Sequence, residues 1–330
     1  MFKKLLVLII LMAALVWGFN RLSQPPTDIT QDIKWGISFS RIFARDMGLD
    51  WKEAYLAILG ELQPKTLRLP IYWEDVEPRE GQYTFNDYDW MIEQAKEKKF
   101  DMILVVGRKL PRWPECHVPT WAASRSEEVQ QDKMLLLISE IVKRYKTLEN
   151  LYAWQVENEP FLAFGECPTV DASFLDQEIA LVKSLDNRHP VIVTDSGELS
   201  IWLRAAKRAD IFGTTMYRVV HQKYLGYVEY PLPPKFFWLK ANTIRLFYPG
   251  KPIFVSELQA EPWGPQLLFD LPLDEQEKSM TIKQFRENIA YAKEVGFSPA
   301  YLWGAEWWYW MKTINNDSSY WKEAKKLFSQ

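Results

Sequence analysis

The sequence predicts an α/β fold, a single (β/α)8 TIM barrel, and three features carry that expectation. Short apolar runs alternate with longer amphipathic ones along the chain, the sign of βα units around a parallel sheet. Eight such pairs can be counted in the 330 residues. Once an apolar N-terminal stretch is set aside, about 300 residues remain, which suits one barrel better than two ordinary domains. With 48% apolar and 25% charged residues, the composition is that of a chain that folds throughout.

The first element lies outside the barrel pattern. Met1, Phe2, Lys3 and Lys4 precede an apolar run over 5–19, followed by polar Asn20 and Arg21 and a Pro-containing stretch to Gln31. This is the pattern of an export signal. The run of about 15 residues is short for a spanning helix, yet no clear small-x-small cleavage site follows, so a cleaved signal peptide and an uncleaved membrane anchor both stay open. Residues 1–30 are therefore read as signal peptide or anchor with a short linker, and 31–330 as the barrel. The protein is expected to be exported, secreted or held on the outer face of the cytoplasmic membrane.

Strands are expected over 34–40, 66–70, 101–107, 151–157, 191–195, 211–216, 253–256 and 300–304. The clearest helix covers 127–145, where Ile138, Ile141, Val142 and Tyr145 share a face and Ser124 with Glu127 reads as a capping box. A second covers 275–295, with Ile282, Phe285, Ile289 and Ala292 in register, Asp274 as its cap and Gly296 just past its end. Weaker helical patterns lie over 51–62, 88–98, 174–185, 199–207, 234–247 and 320–328.

Composition narrows the function. A formal charge of −3 without a basic stripe excludes a nucleic-acid partner. Aromatic residues make up 15% of the chain, with 16 Trp, more than a core usually needs, so some are expected in a cleft against the flat faces of sugar rings. The three histidines, His117, His189 and His221, have no ligand spacing, and no Gly-rich phosphate loop or Gly-x-Ser-x-Gly elbow occurs. Neither metal nor cofactor is expected.

In a barrel of this kind every strand ends on one face, where the loops build the site. Strand four ends in Gln155-Val156-Glu157-Asn158-Glu159-Pro160 and strand seven in Phe254-Val255-Ser256-Glu257. Glu159 and Glu257 are three βα units apart, at about 33 residues per unit, and would project at the same mouth. Glycoside cleavage needs such a pair: one carboxylic acid to protonate the leaving oxygen, and a second carboxylate to meet the developing oxocarbenium ion. Cys116 and Cys167 fall in the loops after strands three and four, neighbours on that face, so a disulfide bracing both loops is expected.

Asn158-Glu159-Pro160 with the strand-seven Glu257 resembles the paired signature of clan A glycoside hydrolases, retaining (β/α)8-barrel enzymes. Arg68 in strand two, Tyr217 at the end of strand six and Trp303 in strand eight fall where that clan places residues supporting the nucleophile and the sugar. The stretch Tyr72-Trp73-Glu74-Asp75-Val76-Glu77-Pro78, followed by Gly81-Gln82-Tyr83-Thr84-Phe85, resembles the segment after strand two in several clan families. The resemblance implies Glu159 as acid/base and Glu257 as nucleophile.

Supporting roles follow. Asn158 would bond the sugar 2-hydroxyl. Glu157, two residues before Glu159, is read as a buried partner of Arg68 or a rival acid, because an unpaired arginine in an apolar strand would be costly. Tyr217 would donate to Glu257, and Trp303 would form a sugar-stacking floor that Glu306, Trp307 and Trp308 extend. Arg108, Lys109, Trp113, Glu115, His117 and Trp121, in the loop after strand three, suit outer sugar units. Glu261 is a weaker candidate nucleophile because it lies past the strand.

The leading reading is a retaining glycoside hydrolase acting on the β-bonds of an extracellular or cell-envelope oligo- or polysaccharide. A transglycosylase would use the same residues, and a catalytically inactive glycan-binding barrel would keep the cleft without the reaction.

Overall fold

The computed structural model describes residue 12 and residues 16–329. Its strands are β1 Trp35–Ser38, β2 Thr66–Pro70, β3 Asp101–Val106, β4 Leu151–Val156, β5 Val191–Asp195, β6 Ile211–Met216, β7 Val219–Gln222, β8 Gly226–Glu229, β9 Ile253–Gln259 and β10 Ala300–Trp303. All but β7 and β8 close a parallel barrel in chain order, with β10 returning to β1, and β7 and β8 form a separate antiparallel hairpin. The (β/α)8 expectation holds, and the eight expected strands are the eight staves.

Period-two alternation sorts the barrel side chains into two cores. Ile103, Val105, Ala153, Ile192, Phe254 and Tyr301 fill the interior, while Leu67, Leu104, Trp154, Val193 and Phe212 face outward beneath the helices. Low in the interior the Thr66 and Tyr301 hydroxyls pair at 2.7 Å. Gly36 makes room for them, since a Cβ there would come within 2.7 Å of both side chains. At the C-terminal mouth the inward positions become polar: Ser38, Arg68, Gln155, Thr194 and Thr215.

The strand that carries Glu257 departs from simple alternation. Thr214 pairs with Val255 but Thr215 with Glu257, and on the other side Ala300 pairs with Val255 but Leu302 with Leu258. One extra residue of β9 is accommodated between both neighbours, a bulge at Ser256. Phe254 points into the barrel; without the bulge Ser256 would follow it and Glu257 would face the helices. The bulge turns Glu257 inward. β9 then continues three residues beyond the expected end, to Gln259.

Helix ends differ from expectation where local side-chain hydrogen bonds compete. The helix Glu127–Tyr145 is capped by Ser126, whose hydroxyl accepts from Val129 N, and Ser124 instead closes the short helix Thr120–Ala123. The long pattern over 275–295 is two helices, Leu273–Gln276 and Ile282–Val295. Thr281 starts the second by accepting from Gln284 N, so Asp274 lies inside the first helix rather than capping the whole. Gly296 ends it at φ 77°, as expected. The pattern over 199–207 keeps only Leu203–Ala206, and that over 51–62 closes in a π-turn at Ile58–Leu62.

Most of the apolar run over 5–19 lies outside the described residues. Residues 16–22 are helical, and Asn242 and Arg245 of the helix Pro234–Phe247 hold the following segment through Leu22 O, Gln24 O and the Asp28 carboxylate. Among the described residues no helix is long and apolar enough to cross a membrane.

Cys116 and Cys167 form the expected disulfide, with Cα atoms 4.9 Å apart, tying the loop after β3 to the loop after β4. The bond closes a separation of 51 residues, worth up to about 4 kcal/mol by chain entropy. The double variant Cys116→Ser, Cys167→Ser is expected to lower the unfolding free energy by about 2–4 kcal/mol in urea titrations. An unchanged midpoint would show that the loops hold themselves.

Candidate active site

The chain leaves β4 in a strained path. Glu157 and Glu159 both have left-handed backbones, at φ 59° and 43°, so the strand alternation that would stack them on one face ends at Val156. Glu157 swings away from the barrel centre and accepts from the backbone N–H groups of Arg108 (2.9 Å) and Lys109 (2.6 Å). Gly107 gives it the space: its φ is 136°, and a Cβ there would lie 2.6 Å from Glu157 Cδ. Glu157 is therefore not the partner of Arg68. Its neighbour is Glu178, on the helix Ala172–Leu185, whose carboxyl is pushed well above the ordinary range by burial and then by the charge on Glu157.

Arg68 is fully buried and finds its carboxylate in Glu257 instead, with Nη1 3.0 Å from Oε1. Its Nε donates to Gln155 Oε1 at 2.8 Å, its Nη2 to Asn158 Oδ1 at 2.8 Å, and Nη1 also faces Ser38 Oγ at 3.4 Å. The second oxygen of Glu257 accepts from the Tyr217 hydroxyl at 2.9 Å. Tyr217 is itself fixed, since its N–H donates to Glu198 at 2.8 Å and its ring meets Trp263 edge-on at 5.1 Å.

Glu159 has a different environment. Thr194 anchors its N–H at 2.9 Å and Lys109 Nζ holds its carbonyl at 3.0 Å, but among the described residues the carboxyl has one hydrogen-bond partner, the Thr215 hydroxyl at 3.1 Å. Burial raises its pKa well above the usual 4.5, and the negative charge of Glu257, then that of Glu115, raises it further. Asn158 spends Oδ1 on Arg68, and its side chain also interacts with the buried Glu115 carboxyl.

The remaining expected residues divide. Trp303 closes β10 at the mouth, with one ring face covered by the Arg112 guanidinium 4.0 Å from its centroid. Glu306 does not extend the cleft: it is fully buried and accepts from Ser40 N (2.5 Å) and Arg112 Nη2 (2.9 Å). Gly304, at φ 143°, turns the chain straight into the helix Ala305–Thr313, which also buries Trp307 and Trp308 against Gln276 and the Ala260 carbonyl. Glu261 is engaged by Arg112, and burial pushes its carboxyl up to about 7.

In the loop after β3 only Trp113 has the exposure that contact with outer sugar units requires, at 51%. Its ring meets Phe164 at 6.2 Å, Phe164 meets Trp263 at 5.5 Å, and Trp263 meets Tyr217, an aromatic path from the rim to Glu257. Arg108, Lys109, Glu115 and His117 are buried, and Trp121 is tied to Glu77 O, so these five are held within the loop's own architecture. Gln155 and Thr215, which sequence reasoning assigned no role, proved to touch the site. Their position at inward places of β4 and β6, in step with Arg68, was the available signal. Among the described residues no cluster of three or more His, Cys, Asp or Glu could hold a metal.

Residues 70–177 match the model of Glycosyl hydrolase family 10, a segment that includes Glu157, Asn158 and Glu159. The whole barrel is similar to solved structures at low identity. Xylanase 10B from Thermotoga maritima aligns with a TM-score of 0.57 at 14% identity, over 90% of this chain and 95% of that one. The cold-adapted β-galactosidase from Rahnella sp. R3 aligns at 0.60 and 15%, over 91% and 56%, and a GH42 β-galactosidase from G. stearothermophilus at 0.59 and 14%, over 91% and 56%. The chain spans little more than half the length of these β-galactosidases. These solved structures show the fold alone, a (β/α)8 barrel, and the segment over 70–177 is similar to glycosyl hydrolase family 10.

Proposed function

We propose that the chain hydrolyses β-glycosidic bonds with retention, Glu257 acting as nucleophile and Glu159 as acid/base. The observation that carries this reading is the contrast between two buried carboxyl groups at one barrel mouth. Glu257 is gripped by an arginine and a tyrosine, whereas Glu159 is raised in pKa by burial and by its partner's charge. Environments that drive paired carboxyls apart are what double displacement needs.

In the first step a Glu257 oxygen attacks the anomeric carbon while Glu159 passes its proton to the departing glycosidic oxygen, leaving a glycosyl ester on Glu257. Esterification removes the negative charge of Glu257, and with it one cause of the raised pKa of Glu159. Glu159 then takes a proton from water, whose oxygen attacks the same carbon and frees Glu257. Arg68 and Tyr217 keep the Glu257 oxygens in place through both steps.

The catalytic unit would be residues 31–330, preceded by an export segment in 1–30. The disulfide accords with an exported protein, because such bonds persist in oxidising compartments. The substrate would then be an extracellular or cell-envelope β-glycan, and xylosides and galactosides are the first to try, given the printed names of the similar structures.

Glu257→Gln is expected to lower kcat by at least about 10⁴-fold on aryl β-glycosides, and a 2-fluoro glycoside inactivator should leave its sugar on Glu257 in peptide mass spectra. An adduct elsewhere would reassign the nucleophile. Glu159→Gln should cost about 10²–10⁴-fold on substrates with poor leaving groups and far less on activated ones. Because the folded-state pKa of Glu159 is raised, its carboxyl loses native stability as pH climbs above the usual 4.5. Glu159→Gln should therefore gain stability relative to the native protein with rising pH in paired urea titrations. A parallel pH dependence would contradict the raised pKa.

A further inference from the structure

Thr215 is the hydroxyl that meets Glu159, and a second contact decides what that hydroxyl can do. It stands on β6, 1% exposed and paired in register with Glu257 of β9. The N–H of Gly197, in the loop after β5, donates to Thr215 Oγ1 at 3.0 Å, and Thr215 Oγ1 lies 3.1 Å from Glu159 Oε1. These are the hydrogen-bond partners of the hydroxyl among the described residues. A hydroxyl has one proton and two lone pairs, and an amide N–H can only donate to it. Glu159 Oε1 is therefore the acceptor for the Thr215 proton.

Two arrangements then compete for the protonated carboxyl. With the acid proton on Oε1, both Gly197 and Glu159 would donate to Thr215 Oγ1, and the Thr215 proton would be buried with no acceptor. With the acid proton on Oε2, Oε1 answers the Thr215 proton and every group is paired. The cost of a buried donor without an acceptor favours the second arrangement by about ten-fold or more. Gly197 cannot easily withdraw. A Cβ there would come 2.0 Å from Thr215 O, an approach that only glycine allows, and its carbonyl accepts from Lys240 Nζ at 2.5 Å. Lys240 comes from the helix Pro234–Phe247 and lies over the Trp202 ring at 4.1 Å, while Trp202 Nε1 donates to Ser196 O at 2.8 Å.

We infer that Thr215, set by Gly197, is a positioning residue that keeps the acid proton of Glu159 on Oε2, the oxygen left to meet the substrate. In the first step the bond from Oε2 to this proton breaks as the glycosidic oxygen gains it. In the second step Oε2 takes a proton from the attacking water. Thr215 keeps its own proton throughout and donates to Oε1 whether Glu159 is neutral or ionised, so neither group has to turn between the steps. For the reaction the inference rests on the hydrolase reading, whereas the place of the proton is a property of the free protein.

Neutron diffraction from native crystals in heavy water, at a pH where Glu159 is protonated, reads the proton's place without turnover. A deuteron on Oε2, with the Thr215 deuteron aimed at Oε1, is expected; a deuteron on Oε1 would overturn the inference. Kinetics read its consequence. Thr215→Val removes the hydroxyl while keeping the shape of the side chain, and Thr215→Ser retains the hydroxyl. On aryl β-glycosides with poor leaving groups Val should lower kcat/KM about 10- to 100-fold, and on 2,4-dinitrophenyl glycosides less than about 3-fold. Ser should stay within a few-fold of native on both. The alkaline limb of the Val pH profile should move to higher pH, because the ionised carboxyl loses a hydrogen bond. An equal loss on good and poor leaving groups, as a merely structural defect gives, or Ser no better than Val, would overturn the inference. A deuteron on Oε2 in a native chain that turns over no glycoside would sink the hydrolase reading and leave the proton assignment standing.

Discussion

A guanidinium buried inside a barrel sets the terms for everything around it. Arg68 occupies an inward position of β2 with no exposed surface, and a charge so placed is tolerable only if its donors are answered and an opposite charge is at hand. Ser38, Gln155 and Asn158 answer donors from β1, β4 and the β4 loop, and Glu257 supplies the charge from β9. Each of those positions is reached by a backbone device. Alternation brings Gln155 inward, the Ser256 bulge brings Glu257 inward, and the left-handed turn after Val156 moves Glu157 out of the way.

A second buried arginine fastens the rim. Arg112 lies between the rings of Phe43 and Trp303 and ion-pairs with Glu261 and Glu306, so the loop after β3 is pinned to the ends of β9 and β10. Around these two arginines most of the acidic groups are spoken for. Glu306 and Glu261 belong to Arg112, Glu257 to Arg68, and Glu157 to two backbone amides. Glu159 stands apart with one hydroxyl partner among the described residues, and burial, with the charge of Glu257 beside it, raises its pKa. Preorganised charge of this kind costs folding energy and contributes to transition-state stabilisation.

The sequence carried the architecture plainly because βα alternation is a long-range, repeated signal. It placed Glu159, Glu257, Arg68 and Tyr217 at one mouth because strand ends in a closed barrel share one face. It failed where a single backbone torsion overrides periodicity. Glu157 seemed to share a face with Glu159 only while β4 was imagined to continue, and Glu306 seemed to face the cleft only while β10 ran on past Gly304. The Ser256 bulge left no mark in the residue pattern, yet the placement of Glu257 depends on it.

The central claim is that Glu159 holds a proton because it is buried next to the charge of Glu257. Carbon-13 NMR titration of the Glu159 carboxyl, in the native chain and after covalent 2-fluoroglycosylation of Glu257, tests it most directly. The account predicts titration well above 4.5 in the free protein and a clear fall once Glu257 is esterified. Titration near 4.5 in both states, or a value untouched by the adduct, would contradict it.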